Sequence, residues 1–319
     1  MLKLLFTVYI DELLEKLKRN GIGCHMGHHF VGALGYADDI ILLCPSVAGL
    51  KNMIKICEEY ANEHNIIFNG SKSKYLVFGK YDYNPTVKVN NEIVSRSESA
   101  EHLGHFLHTE NTSKELIEHS LKEFRKSFYG FISRFESCYS SAKNKLFHLY
   151  CSAMYGSQLW DTTNPIVEKV YVQWRKAHRQ VLELPYRTHC DLLPLLSDNM
   201  PLECILDCRY ITFYKSIAKS HNKIVSYTAK SKLFDNTSTL GRKITYLLHK
   251  YNIEVDDMLS LTKHQAKELC YNRWQNGINE DYPIYAQVIK DMIVMREDRC
   301  TRTFSNDDCK AIINFCCTI

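Results

Sequence analysis

Apolar and polar positions follow two different rhythms along the chain, and the change falls near residue 110. Before it, short apolar runs lie between turn residues. After it, apolar residues recur every three to four positions, the period of a helix face. Residues 30–36 and 40–44 are two apolar runs around a short acidic tip, which predicts a β-hairpin with Ala37, Asp38 and Asp39 at its turn. Residues 46–60 predict a helix: Ser46 is placed to cap it, and Val47, Leu50, Met53, Ile54, Cys57 and Tyr60 share one face. Asn69-Gly70 breaks the chain ahead of a strand at 74–78. Residues 87–94 read as a small hairpin turning at Asn90-Asn91, and 102–107 as a further strand.

Beyond residue 112, helices are expected at 113–135, 142–159, 166–184, 201–220, 240–251, 262–274 and 283–296. Pro185, Pro194 and Pro201 punctuate the stretch between the third and fourth of these. The polar cluster at 235–239 is the best boundary inside this half. The expected organisation is an α/β part of antiparallel strands with helices over 1–110, a helical region over 111–235, and a C-terminal helical region over 236–319.

Composition narrows the class. The chain has 319 residues, 45% hydrophobic and 24% charged, ordinary values for a globular protein able to bury a core. No apolar run is long enough to span a bilayer. Asp11 and Glu12 interrupt the apolar N-terminal stretch and no small-residue cleavage site follows, which argues against a secretory signal. The 13 cysteines are scattered and odd in number, as expected of reduced thiols in an intracellular protein. A net charge of +4 permits a nucleic-acid partner without demanding one. The 20 Tyr, 14 Phe and 3 Trp matter more, because aromatics beside basic residues build nucleic-acid grooves.

Two adjacent carboxylates at a turn are ordinarily just solvated. Here Asp38 and Asp39 lie between two apolar strands expected to be largely buried, where neighbouring anions repel unless a cation neutralises them. A hard divalent ion held by carboxylate oxygens, as Mg²⁺ is in phosphoryl-transfer sites, is the usual remedy.

At these residues the chain resembles a family. Gly35-Tyr36-Ala37-Asp38-Asp39-Ile40-Ile41-Leu42-Leu43 is similar to the Tyr-Ala-Asp-Asp hairpin of reverse transcriptases from non-LTR retrotransposons of the LINE type, Jockey-like elements among them. Leu5 to Leu14 resembles the helix after the template-binding loop. Phe68-Asn69-Gly70-Ser71-Lys72-Ser73-Lys74 resembles the following motif, and Glu101-His102-Leu103-Gly104 the short motif near the primer terminus. Tyr155 to Trp160, Trp174-Arg175-Lys176 and Leu184 to His189 resemble the helical region after the palm. The likeness runs in order to about residue 220.

The resemblance implies a palm remnant over 1–110, a helical thumb-like region and a helical C-terminal region. It implies RNA-directed DNA synthesis with Mg²⁺ from deoxynucleoside triphosphates on an RNA template and a DNA primer. Asp38 and Asp39 would be the catalytic metal ligands, Tyr36 and Ala37 would underlie the primer end, Lys72 would approach the nucleotide phosphates, and Leu103 and Gly104 would lie by the primer. Two metals about 3.5–4 Å apart need carboxylates from more than one strand. In the family one of these precedes the segment at which this chain starts, so poor polymerisation and an uncovered apolar sheet edge are expected. The alternatives are a fragment that only binds nucleic acid and an inactive remnant.

Two basic-aromatic clusters are candidate nucleic-acid contacts. Lys122, Arg125, Lys126 and Arg134 interleave with Phe124, Phe128, Tyr129, Phe131 and Phe135. Trp174, Arg175, Lys176, Arg179 and Arg187 form the second, with His178 and Tyr186. Solvated amphipathic helices explain the same spacing. Cys24, His25, His28 and His29, the Cys204–Cys208 pair, and Cys300, Cys309, Cys316 and Cys317 all lack the paired short spacings of a structural zinc site, and no zinc is expected there.

Overall fold

The computed structural model describes residues 2–79, 84–109, 113–151, 154–197 and 199–281. The chain divides into two units, one of residues 1–112 with 222–228, the other of residues 113–221 with 229–319. The fold is mixed α/β with small sheets, mostly antiparallel, and much helix. Among the described residues no helix is long and apolar enough to cross a membrane.

The first unit is built on a hairpin packed against two helices. Helix α1 (Leu2–Asn20) is followed by the short pair β1 (His25–Met26) and β2 (His29–Phe30), then by the hairpin β3 (Ala33–Tyr36) and β4 (Asp39–Leu42). Ala33 faces Leu42, Leu34 faces Ile41, Gly35 faces Ile40 and Tyr36 faces Asp39. Opposed residues share a face. Ala33, Ile40 and Leu42 therefore turn inward together, onto Leu13 and Leu17 of α1 and onto Met53, Cys57 and Tyr60 of helix α2 (Val47–His64). Helix α2 begins as expected, with Ser46 Oγ accepting from the Gly49 N–H at 3.1 Å. It ends at Asn65 in the left-handed region. The Tyr60 hydroxyl donates to the Tyr9 carbonyl at 2.6 Å and ties α2 to α1.

The remaining strands are short. β5 (Lys74–Tyr75) runs parallel to β7 (Glu92–Arg96), which pairs antiparallel with β6 (Val87–Val89). The 87–94 hairpin turns at Asn90 (φ 49°) and Asn91 (φ 63°), residue types that tolerate this conformation. The strand expected at 74–78 pairs only over its first two residues, because β7 meets it only at Ser95 and Arg96. The strand expected at 102–107 is instead a hairpin, β8 (Ser99–His102) and β9 (His105–His108). Leu103 (φ 51°) and Gly104 (φ 75°) reverse the chain there.

The second unit is helical: α3 (Ser113–Arg134), α4 (Ser140–Cys151), α5 (Glu168–Val181), α6 (Leu192–Ser197), α7 (Leu202–Ala218), the last turn of α8 (Lys223–Ser231, whose residues 223–228 belong to the first unit), α9 (Thr239–Tyr251), α10 (Val255–Ser260) and α11 (Lys263–Asp281). Ile117, Leu121, Phe124, Phe128 and Phe131 make one buried stripe on α3. That stripe meets Phe147 of α4 and Trp174 of α5, whose rings lie 4.6 Å apart. A second core joins α7, α9, α10 and α11 through Tyr210, Tyr214, Ile244, Leu247, Met258 and Cys270. The helix expected over 142–159 runs to Cys151 among the described residues and has ended by Met154 (φ 35°); Gly156 (φ 76°) then leads into a single 3₁₀ turn. The helix expected over 166–184 starts only after a 3₁₀ turn at Pro165–Val167 and ends before Glu183, which is left-handed. Residues 235–239 lie inside the second unit, where Asp235 accepts from Thr237 and Ser238 caps α9. The helix expected at 283–296 lies outside the described residues.

Charges in this interior are paired or forced toward neutrality. Asp207 accepts from Lys250 Nζ and from the Tyr251 hydroxyl, both at 2.7 Å. Burial alone would depress the Lys250 ammonium, but the Asp207 carboxylate outweighs it and holds it above its usual range. Lys243 is 0% exposed; its Nζ donates to the Trp160 carbonyl at 3.2 Å and sits 4.0 Å over the Tyr210 ring. Burial pushes its ammonium down to about 8, against partial support from Asp207 and Asp161.

His148 and His178 sit in the aromatic core, their rings 5.3 Å apart. Burial lowers His148 from 6.5 to about 4. Burial, with smaller contributions from His148 and Arg179, lowers His178 to about 3. The unfolded chain therefore binds more protons than the folded chain below pH 6.5, and stability is lost as the pH is lowered through this window. Unfolding midpoints should fall between pH 7 and pH 4.5, and His148→Gln should flatten that dependence; an unchanged slope in the variant contradicts the assignment.

Candidate functional site

The β3–β4 hairpin sets the geometry of the acidic pair. Gly35 faces α1, where an added Cβ would lie 3.1 Å from Leu14 Cδ1 and 3.2 Å from Ile10 Cγ2. A side chain there would lift the hairpin off the helix. The turn is two residues, Ala37 and Asp38, so Asp39 belongs to the ladder opposite Tyr36 rather than to the turn. Ala37 has φ 51°, uncommon for a residue with a Cβ, and such strain concentrates at functional sites.

The expectation that this hairpin is buried is corrected by the structure. Leu34, Gly35, Tyr36, Ala37, Asp38 and Asp39 are all exposed, Tyr36 at 64%. The sheet has two strands, so only its inward face is covered. Mutual repulsion of buried carboxylates therefore does not operate at Asp38 and Asp39. What the fold supplies is an accessible pair of carboxylates at the tip of a two-residue turn. Among the described residues no third His, Cys, Asp or Glu joins them in a metal-sized group. Two carboxylates suit one Mg²⁺, which is commonly held by one or two carboxylates plus substrate phosphates.

Tyr36, Ala37, Asp38 and Asp39 are thus brought together. Lys72 lies on a separate loop, organised by Asn69: Asn69 Oδ1 accepts from Ser71 Oγ at 2.8 Å and from the Lys72 N–H at 2.9 Å. Its side chain is exposed, and among the described residues no ion pair links it to Asp38 or Asp39. Leu103 and Gly104 form the two-residue turn of the β8–β9 hairpin.

The basic-aromatic clusters divide sharply. Lys122, Arg125, Lys126 and Tyr129 form an exposed stripe on α3 with helical spacing. Lys126 pairs with Glu123 at 3.1 Å, an exposed bridge of small energetic weight. Lys176 and Arg187 are also exposed. Trp174 is 3% exposed, wedged between Phe124 and Phe147, so within its cluster it is a core residue. Arg175 pairs with Glu168 and Glu203, and Arg179 Nε donates to the Thr188 carbonyl at 2.8 Å. Both arginines are half-buried and bonded within the helical unit.

One group escaped the sequence reading. His189, Cys190 and Asp191 place their ligand atoms within 4.8 Å of one another. Metal motifs are sought as spaced pairs, and three consecutive residues give no such signal. Cys24, His25, His28 and His29 form no such group, nor do Cys204 and Cys208, while Cys300, Cys309, Cys316 and Cys317 lie outside the described residues.

No protein-family model matches the chain, and no curated protein matches it.

Replacing Ala37 by Gly removes the Cβ penalty at positive φ and should raise the local stability of the hairpin by about 0.5–1 kcal/mol. Hydrogen exchange of the β3–β4 amides reads this directly; faster exchange in Ala37→Gly contradicts the strain.

Proposed function

We propose that the chain carries the palm hairpin and thumb-type helices of a non-LTR retrotransposon reverse transcriptase, an RNA-directed DNA polymerase. The observation that carries the reading is the pair Asp38–Asp39, presented to solvent at the tip of a two-residue turn whose first residue is a strained alanine. The order of the resembling segments along the sequence supports it. A bound Mg²⁺ would neutralise triphosphate oxygens and stabilise charge on the departing pyrophosphate. Asp38 and Asp39 would hold it, Tyr36 and Ala37 would form the floor beneath the primer end, and Lys72 would meet phosphate from its own loop.

Polymerisation by this chain is expected to be weak. The two carboxylates come from one hairpin tip, and an in-line displacement with two metals draws on more than one strand. Nucleic-acid binding has its own support in the exposed α3 stripe, whose cations would track a phosphate backbone while Tyr129 offers a ring to stack on.

Both parts are tested on an RNA template annealed to a DNA primer. The purified chain should bind it with a steep salt dependence, and the triple variant Lys122→Gln, Arg125→Gln, Lys126→Gln should lower the slope by about three. Asp38→Asn should leave that binding intact and abolish the low Mg²⁺-dependent primer extension. Extension that survives Asp38→Asn overturns the polymerase assignment; binding unaffected by the triple variant overturns the role of α3.

A further inference from the structure

The loop between α5 and α6 gathers three different ligand types at the edge of a cavity. His189 Nδ1 lies 3.2 Å from Asp191 Oδ2, and Cys190 Sγ lies 3.7 Å from Asp191 Oδ1. Bond lengths of about 2.0 Å to nitrogen and oxygen and about 2.3 Å to sulfur give tetrahedral edges of about 3.3 Å between N and O and about 3.5 Å between S and O. The two separations lie close to those edges while ending on the two different oxygens of the Asp191 carboxylate, and one donor atom from each of the three residues lies within 4.8 Å of the others. Backbone bonds set this spacing: the Thr188 N–H donates to the Pro185 carbonyl, and the Leu192 and Leu193 N–H groups donate to the carbonyls of His189 and Cys190. Arg179 holds the Thr188 carbonyl from the neighbouring helix.

Cys190 and Asp191 also line a cavity of about 100 Å³ together with Tyr171, Trp174, Arg175 and Trp274. That is room for several waters. We propose that His189, Cys190 and Asp191 bind one zinc ion, its fourth position open to this cavity. The donor set selects the metal. A thiolate and an imidazole favour borderline-soft Zn²⁺, whereas Mg²⁺ takes oxygen donors. Three protein ligands with one open position is the arrangement of zinc sites that bind water or an exchangeable ligand. Zinc binding displaces the Cys190 thiol proton to solvent and replaces the His189–Asp191 contact with two metal–ligand bonds. The site is independent of the acidic hairpin and stands or falls without it.

The test is a Co²⁺ titration of the metal-free full chain, followed by absorbance, with Zn²⁺ as competitor. A thiolate-to-cobalt charge-transfer band should appear and saturate, and Zn²⁺ should abolish it. Cys190→Ser should remove the band from this site and lower the Zn²⁺ stoichiometry by one, whereas Cys138→Ser, at another partly exposed thiol, should leave both unchanged. His189→Ala, at an exposed position, should weaken Zn²⁺ binding more than tenfold with an unaltered circular dichroism spectrum. The proposal is overturned if the wild-type chain gives no charge-transfer band. It is equally overturned if Cys190→Ser keeps both the band and the stoichiometry, in which case the three side chains form only a hydrogen-bonded cluster.

Discussion

The absence of a side chain at Gly35 lets the β3–β4 hairpin lie directly on α1, and the first unit depends on that approach. The inward strand positions reach Leu13 and Leu17 only at this separation, and α2 closes the same core through Met53, Cys57 and Tyr60. A hairpin pinned along one face has its tip fixed in direction. Of the two carboxylates, Asp39 thus lies in the paired strand and Asp38 in the tight turn beside it, next to strands anchored on a helix. The outward face keeps Leu34 and Tyr36 exposed, so the packing that positions the site is one-sided.

The helical unit illustrates how an aromatic-basic sequence can serve two ends. On α5 the buried stripe Val170, Trp174, Ala177, His178 and Val181 takes the large ring inward, and Arg175 beside it is neutralised by Glu168 and Glu203. On α3 the phenylalanines are buried while Lys122, Arg125, Lys126 and Tyr129 remain at the surface. Similar residue types therefore build a core in one helix and a charged surface in the next. The difference lies in which partners the tertiary fold brings against each face, and composition carries no record of that.

What was legible in the sequence follows the same division. The Ser46 cap, the Asn90-Asn91 turn and the period of α3 were readable because each is a local preference expressed by a few adjacent residues. The loss of helix before Met154 was not, since the apolar spacing continues past it while the backbone is left-handed at Met154 and again at Gly156. The exposure of the acidic tip was also hidden. Two apolar strands imply burial only when both faces are covered, and strand number is a tertiary property. The His189–Cys190–Asp191 group depends on the way one loop folds back on itself, which spacing rules do not describe.

Two clusters of different chemistry, each a proposed metal site, thus sit in the two units: two carboxylates at the hairpin, and His189, Cys190 and Asp191 at the α5–α6 loop. The central claim concerns the first. Its most direct measurement is Mn²⁺ binding, by electron paramagnetic resonance, with and without a deoxynucleoside triphosphate, in the intact chain and in the Asp38→Asn, Asp39→Asn double variant. The account predicts that nucleotide strengthens Mn²⁺ binding in the intact chain and that the double variant loses this gain. Equal nucleotide-dependent binding in both proteins would contradict it.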